Sequence, residues 1–172
     1  MSIAEKAKKI KLLILDVDGV LTDGRIVYSD SGEELKLFDI KDGHGIKLLM
    51  REGIRVAIIT GRRSLAVEKR AADLDVKAVF QGVQNKIEAY EEILKSNSLV
   101  DTEVAAVGDD LLDLPVLKKC GLSFAVPGAA EEVKQGADFI TKNEGGRGAV
   151  REVCEFILKA QGLWEKASAR CD

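Results

Sequence analysis

Apolar residues fall in short blocks along this chain, and each block ends abruptly in polar or glycine residues. Ile10 to Leu15, broken only by Lys11, reads as a buried strand spanning 11–16. The β-branched run from Ile54 to Ile59 reads the same way, as do 77–80 and 103–107, with shorter strands near 122–125 and 138–140. Between them the apolar spacing changes to the helical period, giving helices near 43–52, 64–73, 86–97, 111–120 and 147–161. The alternation of strand and helix predicts an α/β protein, a Rossmann-like parallel sheet with helices on both faces, and one domain over 1–172. In such sheets ligands bind at the carboxyl ends of the strands.

One stretch breaks the alternation. Residues 25–28 and 34–38 flank Ser29-Asp30-Ser31-Gly32-Glu33, the pattern of a β-hairpin. Its apolar candidates, Ile26, Tyr28, Leu35 and Leu37, need a partner surface, and another subunit would supply one. The tail from Glu165 to Asp172 reads as mobile.

Composition narrows the function classes. A net charge of −3 leaves no electrostatic footprint for nucleic acid. No apolar segment reaches the length of a membrane span, and residues 2–9 lack the apolar core of a signal peptide. Cys120, Cys154 and Cys171 are scattered without metal-ligand spacing, which points to a reducing cytoplasm. His44 is the single histidine, so histidine metal sites and Ser–His catalysis drop out.

Four polar sites follow predicted strands or open helices. The first strand ends in Asp16-Val17-Asp18-Gly19, and strand alternation sends both carboxylates to the same side. Like charges that close need a cation between them, or one must stay protonated. Bound Mg²⁺ and a carboxylic acid poised for proton transfer are both chemical uses of the pair. A plain Asp/Gly turn is the bland alternative. Thr60-Gly61-Arg62 follows the second strand, where free backbone amides suit a phosphate, or where Thr60 simply ends a turn. Lys86 opens a helix, a position unfavourable for a cation unless an anion sits there. Gly108-Asp109-Asp110-Leu111-Leu112-Asp113 follows a fourth strand; capping explains one of its aspartates but not three.

In that order and spacing the four sites resemble the motifs of the haloacid dehalogenase superfamily of phosphatases: Asp16-x-Asp18, Thr60, Lys86 and Asp109-Asp110-x-x-Asp113. The hairpin stands where members insert a cap domain, so the resemblance is to the capless group. It implies Asp16 as nucleophile and Asp18 as acid and base. Mg²⁺ would be held by Asp16, the Asp18 carbonyl and Asp109, with Asp110 and Asp113 supporting it indirectly. Thr60, Gly61 and Lys86 would neutralise the transferring phosphoryl group.

A narrower resemblance covers nearly the whole chain. Leu15 to Gly24, Asp42-Gly43-His44-Gly45-Ile46-Lys47 and Gly145-Gly146-Arg147-Gly148-Ala149-Val150-Arg151-Glu152 are similar to the phosphatase family acting on 3-deoxy-D-manno-octulosonate 8-phosphate. Generic phosphatase chemistry requires nothing like the last segment. This resemblance implies a sugar-acid phosphate substrate, a place in lipopolysaccharide synthesis and a homotetramer whose neighbours cover each site. It also implies that Arg62, where relatives acting on nine-carbon sialic-type acids carry an acid, meets the substrate carboxylate. Arg70, eight residues on, either shares the same helix face or is a surface helix charge. A nine-carbon substrate, a response-regulator receiver and a non-catalytic module of the same fold are the alternatives. A receiver needs a phospho-accepting Asp where Thr60 stands.

Overall fold

The central strand β1 (Leu12–Leu15) is buried along its whole length, as a strand covered on both faces requires. The computed structural model describes residues 1–169. After the short helix α1 (Ile3–Ala7) and β1 comes the hairpin, β2 (Val27–Tyr28) and β3 (Glu34–Leu35). Then follow α2 (Ile40–Arg51), β4 (Arg55–Thr60), α3 (Leu65–Leu74), β5 (Ala78–Gln81) and α4 (Lys86–Asn97). The second half holds β6 (Val104–Gly108), α5 (Leu114–Lys119), β7 (Leu122–Ala125), α6 (Glu131–Gly136), β8 (Phe139–Ile140), α7 (Ala149–Ala160) and α8 (Trp164–Ser168).

All six sheet strands are parallel, in the order β5-β4-β1-β6-β7-β8. The order reverses at β1, which lies between β4 and β6. A crevice opens at such a switch point, and the ends of β1, β4 and β6 bring Asp16, Thr60 and Asp109 to it. α1, α2, α7 and α8 pack on one another, and α4, α5 and α6 form a second group; α2 and α4 both reach β4. In α7 the buried residues Val150, Val153, Cys154, Ile157 and Leu158 make one apolar stripe.

The elements depart from the sequence expectations where caps decide. α2 starts at Ile40 rather than 43 because the Asp39 carboxylate accepts the Lys41 amide at 2.6 Å. The expected helix 111–120 is a 3₁₀ turn, Leu111–Asp113, followed by α5, with Pro115 in its first turn. α1 carries a reciprocal Ser2–Glu5 capping box that fixes its start. Residues 165–168, expected to be mobile, belong to α8, where Ala167 is buried and Lys166 pairs with Glu52. Residues 170–172 of that tail, including Cys171, lie outside the described residues.

The hairpin is shorter than the alternation suggested, with two residues per strand. Ile26, Val27, Tyr28, Leu35, Leu37 and Ile40 are all exposed, Leu37 at 73% and Ile40 at 83%. Among the described residues no helix is long and apolar enough to cross a membrane.

Candidate active site

Asp16 leaves the end of β1 and its amide bonds to the Val107 carbonyl of β6. Its carboxylate is nearly buried and accepts from the Lys86 ammonium at 2.7 Å. Lys86 stands at the first position of α4 and also donates to Asp113 at 2.6 Å. Burial works against its charge, but Asp16 and Asp113 outweigh it and hold the ammonium above its ordinary pKa. Asp113 turns its second oxygen back to the Asp109 and Asp110 amides at 3.0 and 3.2 Å. One side chain thus fixes the loop after β6 and the ammonium together.

Asp16, Asp109 and Asp113 each present an oxygen within 4.8 Å of the others. Burial, then Asp113, pushes Asp16 up to about 6 against the opposing Lys86. Burial, then Asp16, Asp113 and Asp110, pushes Asp109 up to about 8. One ammonium therefore does not balance the three carboxylates. The Asp109 Oδ1 atom is buried without a hydrogen-bond partner. An all-oxygen set with an orphaned buried acceptor fits a hard divalent cation.

Asp16, Asp18, Thr60, Gly61, Arg62, Lys86, Asp109, Asp110 and Asp113 line one cleft of about 280 Å³. Thr60 is buried at the end of β4. The two motif-one carboxylates share the cleft but not their partners. β1 stops at Leu15, so strand alternation does not set their directions. Asp16 turns to Lys86, while Asp18 turns to Lys36 and, at 3.7 Å, to the Arg62 Nε atom. Asp110 is exposed and caps the 3₁₀ turn through Leu111, and Asp113 is closer to the cluster than an indirect role suggested.

Arg70 is the sequence candidate that does not join the cleft lining. Arg62 precedes α3, which begins at Leu65, so the helical spacing linking the two does not apply. Arg70 instead donates to the Asp39 carbonyl at 3.0 Å and lies over the Phe38 ring.

Two residues that pair with the cleft lining escaped the sequence reading. Lys36 is buried against Asp18 and Glu34, and Glu34 pairs with Arg62. Alternation around β3 carried the signal. Leu35 and Leu37 face outward, so Glu34 and Lys36 turn the other way, toward Arg62 and Asp18.

The switch-point cleft, its buried lysine and its carboxylate cluster define a hydrolase of the haloacid dehalogenase class. Residues 78–153 match the haloacid dehalogenase-like hydrolase family. The chain is 48% identical over 165 residues to the 3-deoxy-D-manno-octulosonate 8-phosphate phosphatase of Escherichia coli K12, covering 96% of this chain and 88% of that one. The crystal structure of the phosphatase of that name from Moraxella catarrhalis, in complex with a magnesium ion, a phosphate ion and a KDO molecule, superposes with a TM-score of 0.96. It is 42% identical and covers 99% of this chain and 98% of that one. The cobalt-bound form of the Haemophilus influenzae enzyme gives a TM-score of 0.91 at 41% identity, covering 95% of this chain and 99% of that one. The chain belongs to the 3-deoxy-D-manno-octulosonate 8-phosphate phosphatase family.

Proposed function

We propose that this chain hydrolyses 3-deoxy-D-manno-octulosonate 8-phosphate to the free sugar acid and phosphate, with Mg²⁺, in lipopolysaccharide synthesis. The convergence of Asp16, Lys86, Asp109 and Asp113 at the switch point carries the reading, and the relatives' substrate supports its finer part. Asp16 attacks phosphorus, the phosphorus–oxygen ester bond breaks, and an aspartyl phosphate forms. Asp18 gives a proton to the departing sugar oxygen, then takes one from the water that attacks the phosphorus and restores Asp16. Lys86, Thr60 and the Gly61 amide neutralise the transferring oxygens. Asp16, Asp109 and the Asp18 carbonyl would hold Mg²⁺, with Asp113 in reach. When bound, the ion neutralises charge between the attacking carboxylate and the phosphate. Phosphate release from this substrate should require a divalent cation and stop with EDTA. Release undiminished by EDTA would overturn the reading.

Arg62 supports the choice of an acidic sugar. Its guanidinium, half exposed at the cleft, already holds a carboxylate, that of Glu34. A substrate carboxylate can be held by the planar fork of the same guanidinium. Losing a charge-assisted bond costs roughly 1.5–3 kcal/mol, about tenfold to hundredfold in efficiency. Arg62→Ala should lower kcat/KM by that factor on octulosonate 8-phosphate and much less on p-nitrophenyl phosphate. Equal losses on both would assign Arg62 to the phosphate or the fold.

The carboxylates also give a pH dependence. In the folded chain stripped of metal, Asp16 sits at about 6 and Asp109 at about 8, both raised. A raised carboxyl contributes stability that is fully present below its ordinary value and is lost as pH rises through the folded value. The melting temperature in EDTA should therefore fall between pH 5 and pH 8.5, and millimolar Mg²⁺ should flatten the fall. A metal-free melting temperature that rises across this window contradicts the assignment.

The exposed hairpin face supports a homotetramer, whose neighbours would cover the cleft. Sedimentation should give about four subunits, and Leu35→Ser with Leu37→Ser should shift it toward monomer. A fully active wild-type monomer would remove the assembly. The unpaired thiols of Cys120 and Cys154 support a cytoplasmic location.

A further inference from the structure

Two segments stand outside the chemistry above: Asp42 to Lys47, and Gly145 to Glu152. The structure brings them together, and then brings the second against the loop that follows Asp18. Asp42 lies in the first turn of α2 and is 1% exposed. Its Oδ1 atom accepts the Arg151 amide at 2.8 Å and its Oδ2 atom the Gly148 amide at 3.3 Å. These are orphan donors at the start of α7, whose own capping residue, Gly148, has no side chain. One helix therefore caps another. At Gly45 a Cβ would stand 3.0 Å from the Arg151 Cα atom, so α2 and α7 approach backbone to side.

The loop before α7 is pinned at its other end as well. Glu152 accepts the Lys142 and Asn143 amides, each at 3.0 Å. Between the pins, Gly146 donates its amide to the Val20 carbonyl at 2.9 Å. At Gly145 a Cβ would lie 1.7 Å from the Gly19 carbonyl oxygen, so this backbone rests directly on the loop that follows Asp18. On its other side, a Cβ at Gly19 would lie 2.0 Å from an Asp109 carboxylate oxygen. Contact thus runs without a gap from Asp42 through the pinned glycines and Gly19 to Asp109. Between Gly145 and Gly19 the contact is backbone against backbone, which leaves little compliance at that step.

We infer that Asp42 and the Gly145–Gly146 pair form a clamp that positions Asp18 and Asp109 from behind. Asp42 is a positioning residue and touches none of the reacting groups. The inference rests on the phosphatase reading for its consequence in turnover, but not for its consequence in metal affinity.

Gly145→Ala and Asp42→Asn test the clamp, with Gly53→Ala as the control. Gly53 has a positive φ, 88°, which Gly145 does not, and no atom within 4 Å of its Cβ position, so its variant loses stability through backbone strain without touching the contact. In Asp42→Asn one of the two amide donors meets an NH₂ group. Three quantities are read on the full chain: thermal unfolding, Mn²⁺ affinity by electron paramagnetic resonance without substrate, and kcat and KM on octulosonate 8-phosphate and p-nitrophenyl phosphate. Gly145→Ala should weaken Mn²⁺ binding about tenfold or more and lower kcat by a similar factor on both substrates, with KM for the sugar phosphate nearly unchanged. Asp42→Asn should move the same quantities in the same direction, by about threefold or more. Gly53→Ala should lose melting temperature alone. If Gly145→Ala does not fold, Asp42→Asn decides. Variants that lose melting temperature yet keep Mn²⁺ affinity and kcat, as the control does, overturn the clamp. A wild-type chain that binds Mn²⁺ but hydrolyses neither substrate overturns the phosphatase reading instead, and the order of Mn²⁺ affinities still tests the clamp.

Discussion

Asp16→Asn should lose turnover by at least about 10⁴-fold while the chain stays folded. The amide has the shape of the carboxylate and can still accept from Lys86, but it cannot attack phosphorus. The structure adds a sign to the stability. Asp16 is a carboxylate made costly by burial and by Asp113, pushed up to about 6. Replacing it with a neutral isostere removes that cost. In EDTA at pH 8 the variant should melt no lower than the wild type. A variant that retains more than about a hundredth of wild-type kcat would remove Asp16 from the nucleophile's place. A variant that unfolds would show that the Asp16–Lys86 pair is needed for the fold.

Lys86→Ala should damage both activity and stability. Lys86 is 5% exposed and is the ammonium bonded to both Asp16 and Asp113. Taking one partner from a buried ion pair costs about 3–5 kcal/mol, because the remaining charges stay buried without compensation. Loss of a positioned cation at the transferring phosphoryl group should lower kcat by about 10²–10³-fold. The two effects separate with pH. Near pH 5 the stranded Asp16 carboxylate, pushed up to about 6 even beside Lys86, can take up a proton, so much of the stability loss should vanish there while the kcat loss persists. Urea titrations at pH 5 and pH 8 read this directly. A stability loss independent of pH would mean that Lys86 acts through packing.

What the sequence made legible depended on where side chains stand relative to strand ends. Asp16, Thr60 and Asp109 follow apolar runs that stop sharply, so their meeting at the crevice could be read from the runs alone. Lys86 was legible because a cation opening a helix needs an explanation. Arg70 misled because its spacing from Arg62 assumes one continuous helix, whereas α3 starts after Arg62. Lys36 and Glu34 were hidden by brevity. β3 has two residues, too few for alternation to announce its inner face, and the neighbouring leucines drew the reading outward. Asp42 was hidden for another reason. Its partners, Gly148 and Arg151, lie more than a hundred residues away, and only the packing of α2 on α7 joins them. Asp113 looked like one more carboxylate of a cluster. Its two oxygens serve a lysine on one side and loop amides on the other, a division that periodicity cannot express.

This cleft should hydrolyse an acidic eight-carbon sugar phosphate in preference to other phosphate esters. Parallel kcat/KM measurements with saturating Mg²⁺ test it most directly. The substrates are 3-deoxy-D-manno-octulosonate 8-phosphate, a nine-carbon sialic-type 9-phosphate and p-nitrophenyl phosphate. The eight-carbon acid should be preferred by at least about tenfold over the nine-carbon one, and by more over the small ester. A preference for the nine-carbon acid, or no phosphate release from any of the three, would contradict it.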